Sequence, residues 1–161
     1  DAFVRLFTHA TPGGARRPVT ARIAVKLLRA GARVPVRATE HASGLDLYAC
    51  LEQPVEVGQV PVLVATGIAI EAQRGLDIQV RPRSGLARKG VLCTFGTIDA
   101  DYRGELLVTM YTVAPDITHV VHNGDRIAQL VIGRLVEAEL VEVAELTATG
   151  RGPGGPGSTG R

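Results

Sequence analysis

The sequence predicts an all-β domain, a jelly-roll-like sandwich or barrel with one short helix. Hydrophobic residues make up 45% of the 161-residue chain, yet it has three Phe, three Tyr and no Trp, so the core must be built mainly from Val, Leu, Ile and Ala. The β-branched members of that set favour strands. Short alternating runs also recur between Gly, Pro and Asn-Gly, as they do in sandwiches and barrels.

Eight segments have the composition and the period-two alternation of strands. Gly75 and Gly124 supply positions at which a positive φ costs little, as tight reversals between strands require. Because small sheets must protect their edges, we expect subunit contacts along them. The predicted strands are residues 22–28, 45–49, 62–70, 76–81, 105–113, 118–122, 127–132 and 140–143.

Residues 84–89 are the one predicted helix. Ser84 is its expected N-cap, and Gly90 suits the left-handed position at its end. One short helix leaves the fold class unchanged.

The chain length allows one ordinary domain, which we place at residues 21–146. Residues 1–20 contain Arg, Gly and Pro without a signal-peptide pattern and are predicted to be a flexible extension. Residues 147–161 are dominated by Gly and Pro. They form either a disordered tail or an arm whose backbone amides fold over an anionic ligand.

Charge and cysteine content narrow the class of protein. Lys plus Arg number 18 against 16 for Asp plus Glu, so we expect no nucleic-acid partner. No apolar run approaches the ~18 residues of a membrane span, so no membrane anchor is expected. Cys50 and Cys93 are far apart and have no metal-ligand spacing, which indicates free thiols and a cytoplasmic, intracellular location.

Two segments contain groups suited to metal and phosphate binding. Asp46 lies between apolar neighbours in residues 42–49, where it either caps a turn or helps to hold the water shell of a metal. Residues 81–87 place Arg83, the Ser84 hydroxyl and the Gly85 amide at the start of the helix. Free amides there favour phosphate, although Arg-Ser-Gly is also an ordinary surface turn.

The segment at residues 96–105 is dense in charge, with three acids, a Tyr and an Arg. A carboxylate in line with a phosphorus atom can orient and deprotonate an attacking water. The alternative is a charged β-turn.

In residues 124–130, Arg126, Ala128 and Leu130 are predicted to share one face of a strand, and Ile127 and Gln129 the other. A Gln on an otherwise apolar strand needs a partner, which is either a buried backbone group or a ligand phosphate. The sequence leaves both partners open.

The order and spacing of these segments resemble the trimeric dUTPase family over about residues 22–160. The five family motifs are similar to SGLDL at 43–47, PRSGLA at 82–87, GTIDADYRG at 96–104, GDRIAQ at 124–129 and RGPGGPGSTG at 151–160. The resemblance implies a Mg²⁺-dependent homotrimer that hydrolyses dUTP to dUMP and pyrophosphate, with each active site shared by three chains. Such an activity limits uracil incorporation into DNA and supplies dUMP for dTMP synthesis.

The resemblance also assigns roles to single residues. Asp99 would activate the water that attacks the α-phosphorus, and Tyr102 would pack under deoxyribose and exclude a 2′-hydroxyl. Asp46 would support the magnesium–triphosphate assembly, mostly indirectly, and a hairpin at residues 92–96 would line the uracil pocket. The other implied substrate contacts are Arg83, Ser84, Gly85, Cys93, Gly96, Thr97, Ile98, Gln129, Arg151, Pro156, Gly157 and Ser158.

Two positions depart from the family pattern. Pro156 replaces the usual aromatic or histidine of the fifth motif, so we expect a weaker lid and a higher KM, which dUTP kinetics of Pro156→Phe test. Cys93 replaces an Asn that contacts uracil in many bacterial members, so base recognition would rest more on backbone groups.

Two alternatives to dUTP hydrolysis remain. A dCTP deaminase-like enzyme needs a glutamate in the base pocket, and residues 94–97 offer none. A non-catalytic binding or regulatory protein would keep the fold and lose the reaction.

Overall fold

The computed structural model describes residues 21–154 and confirms a mostly β domain. Residues 1–20 and 155–161, which include the whole of the predicted extension and part of the predicted arm, lie outside the described residues. The elements in chain order are β1 Ile23–Leu27, β2 Leu45–Tyr48, β3 Val55–Val57, β4 Val62–Ala65, β5 Ile68–Ala72, β6 Leu76–Arg81, α1 Ser84–Ala87, β7 Val91–Cys93, β8 Gly96–Ile98, β9 Leu107–Thr112, β10 His119–Val121 and β11 Arg126–Arg134. Within residues 21–154 no helix is long and apolar enough to cross a bilayer.

The strands form antiparallel sheets in the orders β2-β11-β6-β8, β4-β9-β7, β1-β5 and β10-β3. The nine-residue strand β11 pairs with β2 on one side and with β6 on the other. Gln129 is therefore in register with both Asp46 and Arg81. This pairing brings the first, second and fourth motifs to one part of the sheet.

The core is formed mainly by aliphatic side chains, and all four sheets contribute to it. Leu47 and Ile78 of the four-stranded sheet and Val64, Val108 and Met110 of the three-stranded sheet are at most 1% exposed. Each such side chain contributes roughly 1.5–3 kcal/mol through its removal from water. The predicted reliance on aliphatic rather than aromatic residues agrees with this packing.

The predicted single strand over residues 62–70 is wrong, because the chain turns at Gly67. This glycine has a φ of +69°, and a Cβ on it would lie 2.9 Å from the Cys50 Sγ. The turn transfers the chain from β4, which pairs with β9, to β5, which pairs with β1. Alternation alone did not mark this change of partner.

The predicted strand at residues 140–143 is also wrong. These residues belong to no strand, and Leu140 is 95% exposed and Val141 69% exposed. Conversely, the three-residue strands β3, β7 and β8 were not predicted, because such short segments show little periodicity.

The helix begins at Ser84 but is shorter than predicted. Its N-cap residue is Arg83, and no side chain caps it, so the prediction of Ser84 as the N-cap is wrong. The turn predictions are confirmed, with φ values of +75° at Gly90, +83° at Gly75 and +84° at Gly124.

Candidate active site

Asp46 joins the first, second and fourth motifs. Its side chain is buried in β2, where Oδ1 accepts a hydrogen bond from Arg83 Nε at 3.1 Å and Oδ2 accepts one from Arg126 Nη1 at 3.3 Å. Arg83 Nη1 also donates to the Arg126 carbonyl at 3.2 Å. Two guanidinium groups around one carboxylate leave a net positive charge, which suits an anionic ligand.

A β-bulge turns Arg126 towards Asp46. The pairing of β11 with β2 shifts register between Arg126 and Ala128, and both Ile127 and Ala128 are buried. The predicted strict alternation of faces along this segment is therefore wrong. A bulge inserts an extra residue into one strand and changes the direction of the neighbouring side chains. Here it lets Arg126 reach the carboxylate of Asp46, which is paired with Gln129.

Gln129 finds a backbone partner in the same region. Its Nε2 donates to the Pro82 carbonyl at 2.9 Å, which links β11 to the start of the second motif. Its Oε1 lies so close to Gly44 that a Cβ there would be 2.1 Å away. Residue 44 must therefore be a glycine. The sequence showed only that Gly44 belongs to the first motif, not that Gln129 leaves no room for a side chain there.

Ser84 and Gly85 follow Arg83 directly and are exposed. As the first residues of α1, their N–H groups have no intrahelical acceptor. We call the group Asp46, Arg83, Arg126 and Gln129, together with Ser84 and Gly85, the charged cluster.

The third motif and the residues that follow it line a separate pocket of about 170 Å³. Asp99 directly follows β8 and has an exposed side chain, and its carbonyl accepts a hydrogen bond from Tyr102 N at 3.0 Å. The Tyr102 hydroxyl donates to the Glu105 carbonyl at 2.9 Å, and a Cβ on Gly104 would lie 2.4 Å from that hydroxyl oxygen. We call this the Asp99 pocket, and its lining residues are Thr97, Ile98, Asp99, Tyr102, Glu105, Leu106 and Leu107.

The predicted hairpin at residues 92–96 is wrong. Strand β7 pairs with β9, whereas β8 pairs with β6, so the chain crosses from one sheet to another. Thr94 N extends the first pairing by donating to the Thr109 carbonyl at 3.0 Å. Because β8 is an edge strand of its sheet, no strand within residues 21–154 lies beside the outward groups of Gly96, Thr97 and Ile98.

Cys93 lies in the hydrophobic core, with only 3% of its surface exposed. Burial raises the pKa of its thiol to about 11, because desolvation disfavours the thiolate. The sulfur at this predicted substrate-contact position is therefore buried.

The charged cluster and the Asp99 pocket share no lining residue. Of the predicted fifth-motif contacts, Arg151 is exposed and its Nε donates to the Gly154 carbonyl at 3.1 Å. Pro156, Gly157 and Ser158 lie outside the described residues. The described part of one chain therefore presents two partial sites.

Sequence reasoning gave no role to Glu105, which lines the Asp99 pocket, or to Arg29, which contacts Glu105. Glu105 is counted among the acids of the third segment without a role, yet its carboxylate binds Arg29 and the Gly67 amide. Arg29 carries no local signal, because its partner is 76 residues away.

Comparisons with known proteins agree with this geometry. Residues 30–160 match the dUTPase family model. A protein from Hydrogenobaculum sp. (strain Y04AAS1) named deoxyuridine 5'-triphosphate nucleotidohydrolase is 48% identical over 143 residues, which cover 86% of this chain and 98% of the relative. A protein of the same name from Chlamydia trachomatis (serovar D) is 46% identical over 139 residues, which cover 83% and 94%.

Solved structures show the same fold. A mutant dUTPase of Staphylococcus bacteriophage 80alpha with dUpNHpp has a TM-score of 0.73 at 26% identity and covers 86% of this chain and 98% of its own. A mutant dUTPase from phage phi11 of S. aureus, described with a structural Mg(II) ion, has a TM-score of 0.70 at 25% identity and covers 78% and 99%. With a family match over most of its length and relatives at this identity, the chain belongs to the dUTPase family.

Proposed function

We propose that Asp99 activates the water with which this dUTPase-family chain hydrolyses dUTP to dUMP and pyrophosphate. The observation that carries the proposal is the shared pocket of Asp99 and Tyr102, an exposed carboxylate beside an aromatic ring. A general base must lie within hydrogen-bond reach of the water that it deprotonates. In this pocket the carboxylate can aim a water at a phosphorus atom while the ring supports the sugar.

The charged cluster would bind the phosphates. Arg83 uses Nε for Asp46 and Nη1 for the Arg126 carbonyl, so Nη2 remains available to a phosphate oxygen in the part of the chain that the structure describes. Ser84 and Gly85 would add a hydroxyl and amides, and Gln129 a carboxamide. Because Asp46 orients the guanidinium groups before substrate arrives, less ordering is needed on binding.

The base would be read by backbone groups at the edge of the four-stranded sheet. Gly96, Thr97 and Ile98 pair with β6 on one side only. Cys93 would contribute through its backbone, and Tyr102 would pack under deoxyribose, where an added 2′-hydroxyl has no room.

The charged cluster and the Asp99 pocket are separate within one chain. We therefore propose that the cluster of one subunit meets the pocket of another in a homotrimer. Exposed apolar residues after β11, such as Val136 at 82% and Leu140 at 95%, support passage of this segment across a neighbouring subunit. The arm at residues 147–161 would then close over that subunit's site with Arg151, Pro156, Gly157 and Ser158.

Magnesium would enter with the triphosphate. Residues 21–154 contain no group of three or more His, Cys, Asp or Glu able to hold a metal, and both Asp46 oxygens bind arginine. This donor set fits Mg²⁺, which keeps several waters and binds through one or two carboxylates plus substrate phosphates. Asp46 would hold it indirectly through water, and the bound ion would neutralise phosphate charge.

We also propose an intracellular, cytoplasmic location. Cys50 and Cys93 are both free and buried thiols, which is typical of a reducing compartment. A nucleotide substrate agrees with that location.

A substrate panel tests the proposed function. Pyrophosphate release from dUTP, dCTP, dTTP and UTP is measured side by side, with Mg²⁺ and with a chelator. We expect Mg²⁺-dependent release from dUTP far above that from the other three. Ammonia release from dCTP would favour the deaminase-like alternative, and dUTP binding without turnover would favour a binding protein.

A further inference from the structure

We propose that Arg29 is a positioning residue for the Asp99 pocket, which it orients by holding Glu105. Arg29 lies in the connection between β1 and β2, outside all five motifs. The inference rests on the proposed roles of Asp99 and Tyr102, because it concerns how those two residues are held.

Glu105, directly after the third motif, connects it to two distant segments, in addition to the pairing of β8 with β6 and the contact of Arg103 with Glu71. Its Oε2 accepts a hydrogen bond from Arg29 Nη2 at 2.5 Å, and its Oε1 accepts one from the Gly67 amide at 2.7 Å. Arg29 has a second contact, from Nη1 to the Cys50 carbonyl at 3.4 Å. The carboxylate is thus fixed from two directions by segments distant in sequence.

The same residue fixes Tyr102. The Glu105 carbonyl accepts a hydrogen bond from the Tyr102 hydroxyl at 2.9 Å, and the Tyr102 amide in turn donates one to the Asp99 carbonyl at 3.0 Å. The next residue, Leu106, donates its amide to the Ile68 carbonyl at 2.8 Å. A displacement of Glu105 is therefore passed through one hydrogen bond to the aromatic ring and through a second to Asp99.

Burial decides how much this ion pair matters. The Glu105 side chain is only 19% exposed and that of Arg29 is 41% exposed, so the pair is screened less than one on the open surface. Without Arg29, the carboxylate loses one of its two charge-assisted contacts and can swing towards solvent. Since exclusion of a 2′-hydroxyl depends on where the ring lies, a small shift of Tyr102 admits UTP.

The charged cluster makes none of these contacts. Loss of Arg29 should consequently leave phosphate binding, and with it the KM for dUTP, nearly unchanged. The kcat for dUTP should fall, and the ratio of kcat/KM for dUTP to that for UTP should fall on the order of tenfold, because misplacement of about 1 Å is costly at a reacting centre.

The experiment compares Arg29→Ala, Arg29→Lys and Lys26→Ala with the wild type, with kcat and KM measured for dUTP and for UTP. Lys26 is an exposed cation on β1 with no ion-pair partner in the described part of the chain, so its removal controls for lost charge. We expect a lower dUTP-to-UTP ratio only in Arg29→Ala, with substantial recovery in Arg29→Lys.

An unchanged ratio in Arg29→Ala, or equal losses with dUTP and UTP, would overturn the proposal. If Arg29→Ala does not fold, Glu105→Gln provides the same test, because it keeps the acceptor for Gly67 but weakens the Arg29 contact. An unchanged ratio in that variant would also refute it. Failure of the wild type to hydrolyse dUTP would instead refute the proposed function.

Discussion

The charged cluster and the Asp99 pocket are held in opposite ways. The hydrogen bonds of the cluster join residues 37, 80 and 47 positions apart, from Arg83 to Asp46, from Arg126 to Asp46 and from Gln129 to Pro82. In the pocket, Tyr102 bonds to residues three positions away on either side. The cluster is thus fixed by sheet register, whereas the pocket is a local turn that side-chain contacts of Glu105 and Arg103 connect to distant segments.

This difference indicates separate tasks. Groups that bind a fixed negative charge benefit from a rigid, partly buried frame that keeps guanidinium groups oriented. The attacking group must instead remain exposed until substrate reaches it. We therefore expect changes in the cluster to act mainly on KM, and changes in the pocket mainly on kcat and sugar selectivity.

The largest effect is expected for Asp99→Asn. Loss of the general base should lower kcat on the order of 10²- to 10⁴-fold. Binding of dUTP should remain measurable, because the charged cluster is intact. Pyrophosphate release measures the loss of kcat, and calorimetry measures the remaining dUTP binding. Asp101→Asn is the control, because Asp101 is an exposed acid in the same turn. Near-normal turnover of Asp99→Asn would remove this residue as the base.

Gly44→Ala tests the cluster. The new Cβ would fall 2.1 Å from Gln129 Oε1 and displace that side chain from the Pro82 carbonyl. Loss of about one hydrogen bond should raise the KM for dUTP on the order of tenfold while the dUTP-to-UTP ratio is preserved. Gly58→Ala is the matched control, since a Cβ there meets no atom within 4 Å. An altered ratio in Gly44→Ala would contradict the division of tasks.

Gly104→Ala makes the corresponding test of the pocket. Its Cβ would fall 2.4 Å from the Tyr102 hydroxyl oxygen and push the half-exposed ring aside. We expect a several-fold lower dUTP-to-UTP ratio with little change in the KM for dUTP, because small overpacking costs roughly 1–3 kcal/mol. Steady-state kinetics with both nucleotides checks this, and a selective rise in KM would oppose it.

The smallest effect on activity is expected at Cys93, which lies in the hydrophobic core and belongs to neither the charged cluster nor the Asp99 pocket. Its expected effect is on stability. Because its folded pKa of about 11 exceeds the ordinary 9.0, the neutral thiol favours the folded state. This contribution is complete below pH 9 and is lost as the pH rises through 11; its size is about 2–3 kcal/mol. Denaturant unfolding from pH 8 to 11 should show a steeper loss of stability in the wild type than in Cys93→Ala. Parallel curves would show that the thiol does not titrate on unfolding.

Local features of the fold were readable from the sequence. Gly75, Gly90 and Gly124 have positive φ as expected, because a turn imposes that requirement on the residue itself. Most strands were also found, since alternation reports burial on one face. The proximity of Asp99 and Tyr102 was also predictable, because both residues lie in a single turn and are only three positions apart.

Features that depend on pairing were not readable. The division of residues 62–70 follows from Gly67 packing on Cys50, and the exposure of residues 140–143 from the lack of a partner in the described chain. A period-two pattern shows that a segment has two faces, but not which strand lies beside it.

By itself, the sequence determined the all-β class, the motifs and their chemical types, because these depend on composition and on short-range conformational preference. Only the tertiary structure decided that Asp46 holds Arg83 and Arg126, that the bulge at Arg126 makes this possible, and that Arg29 reaches Glu105. These contacts join residues far apart in the chain. Sheet register fixes such distances, and no local pattern encodes the register.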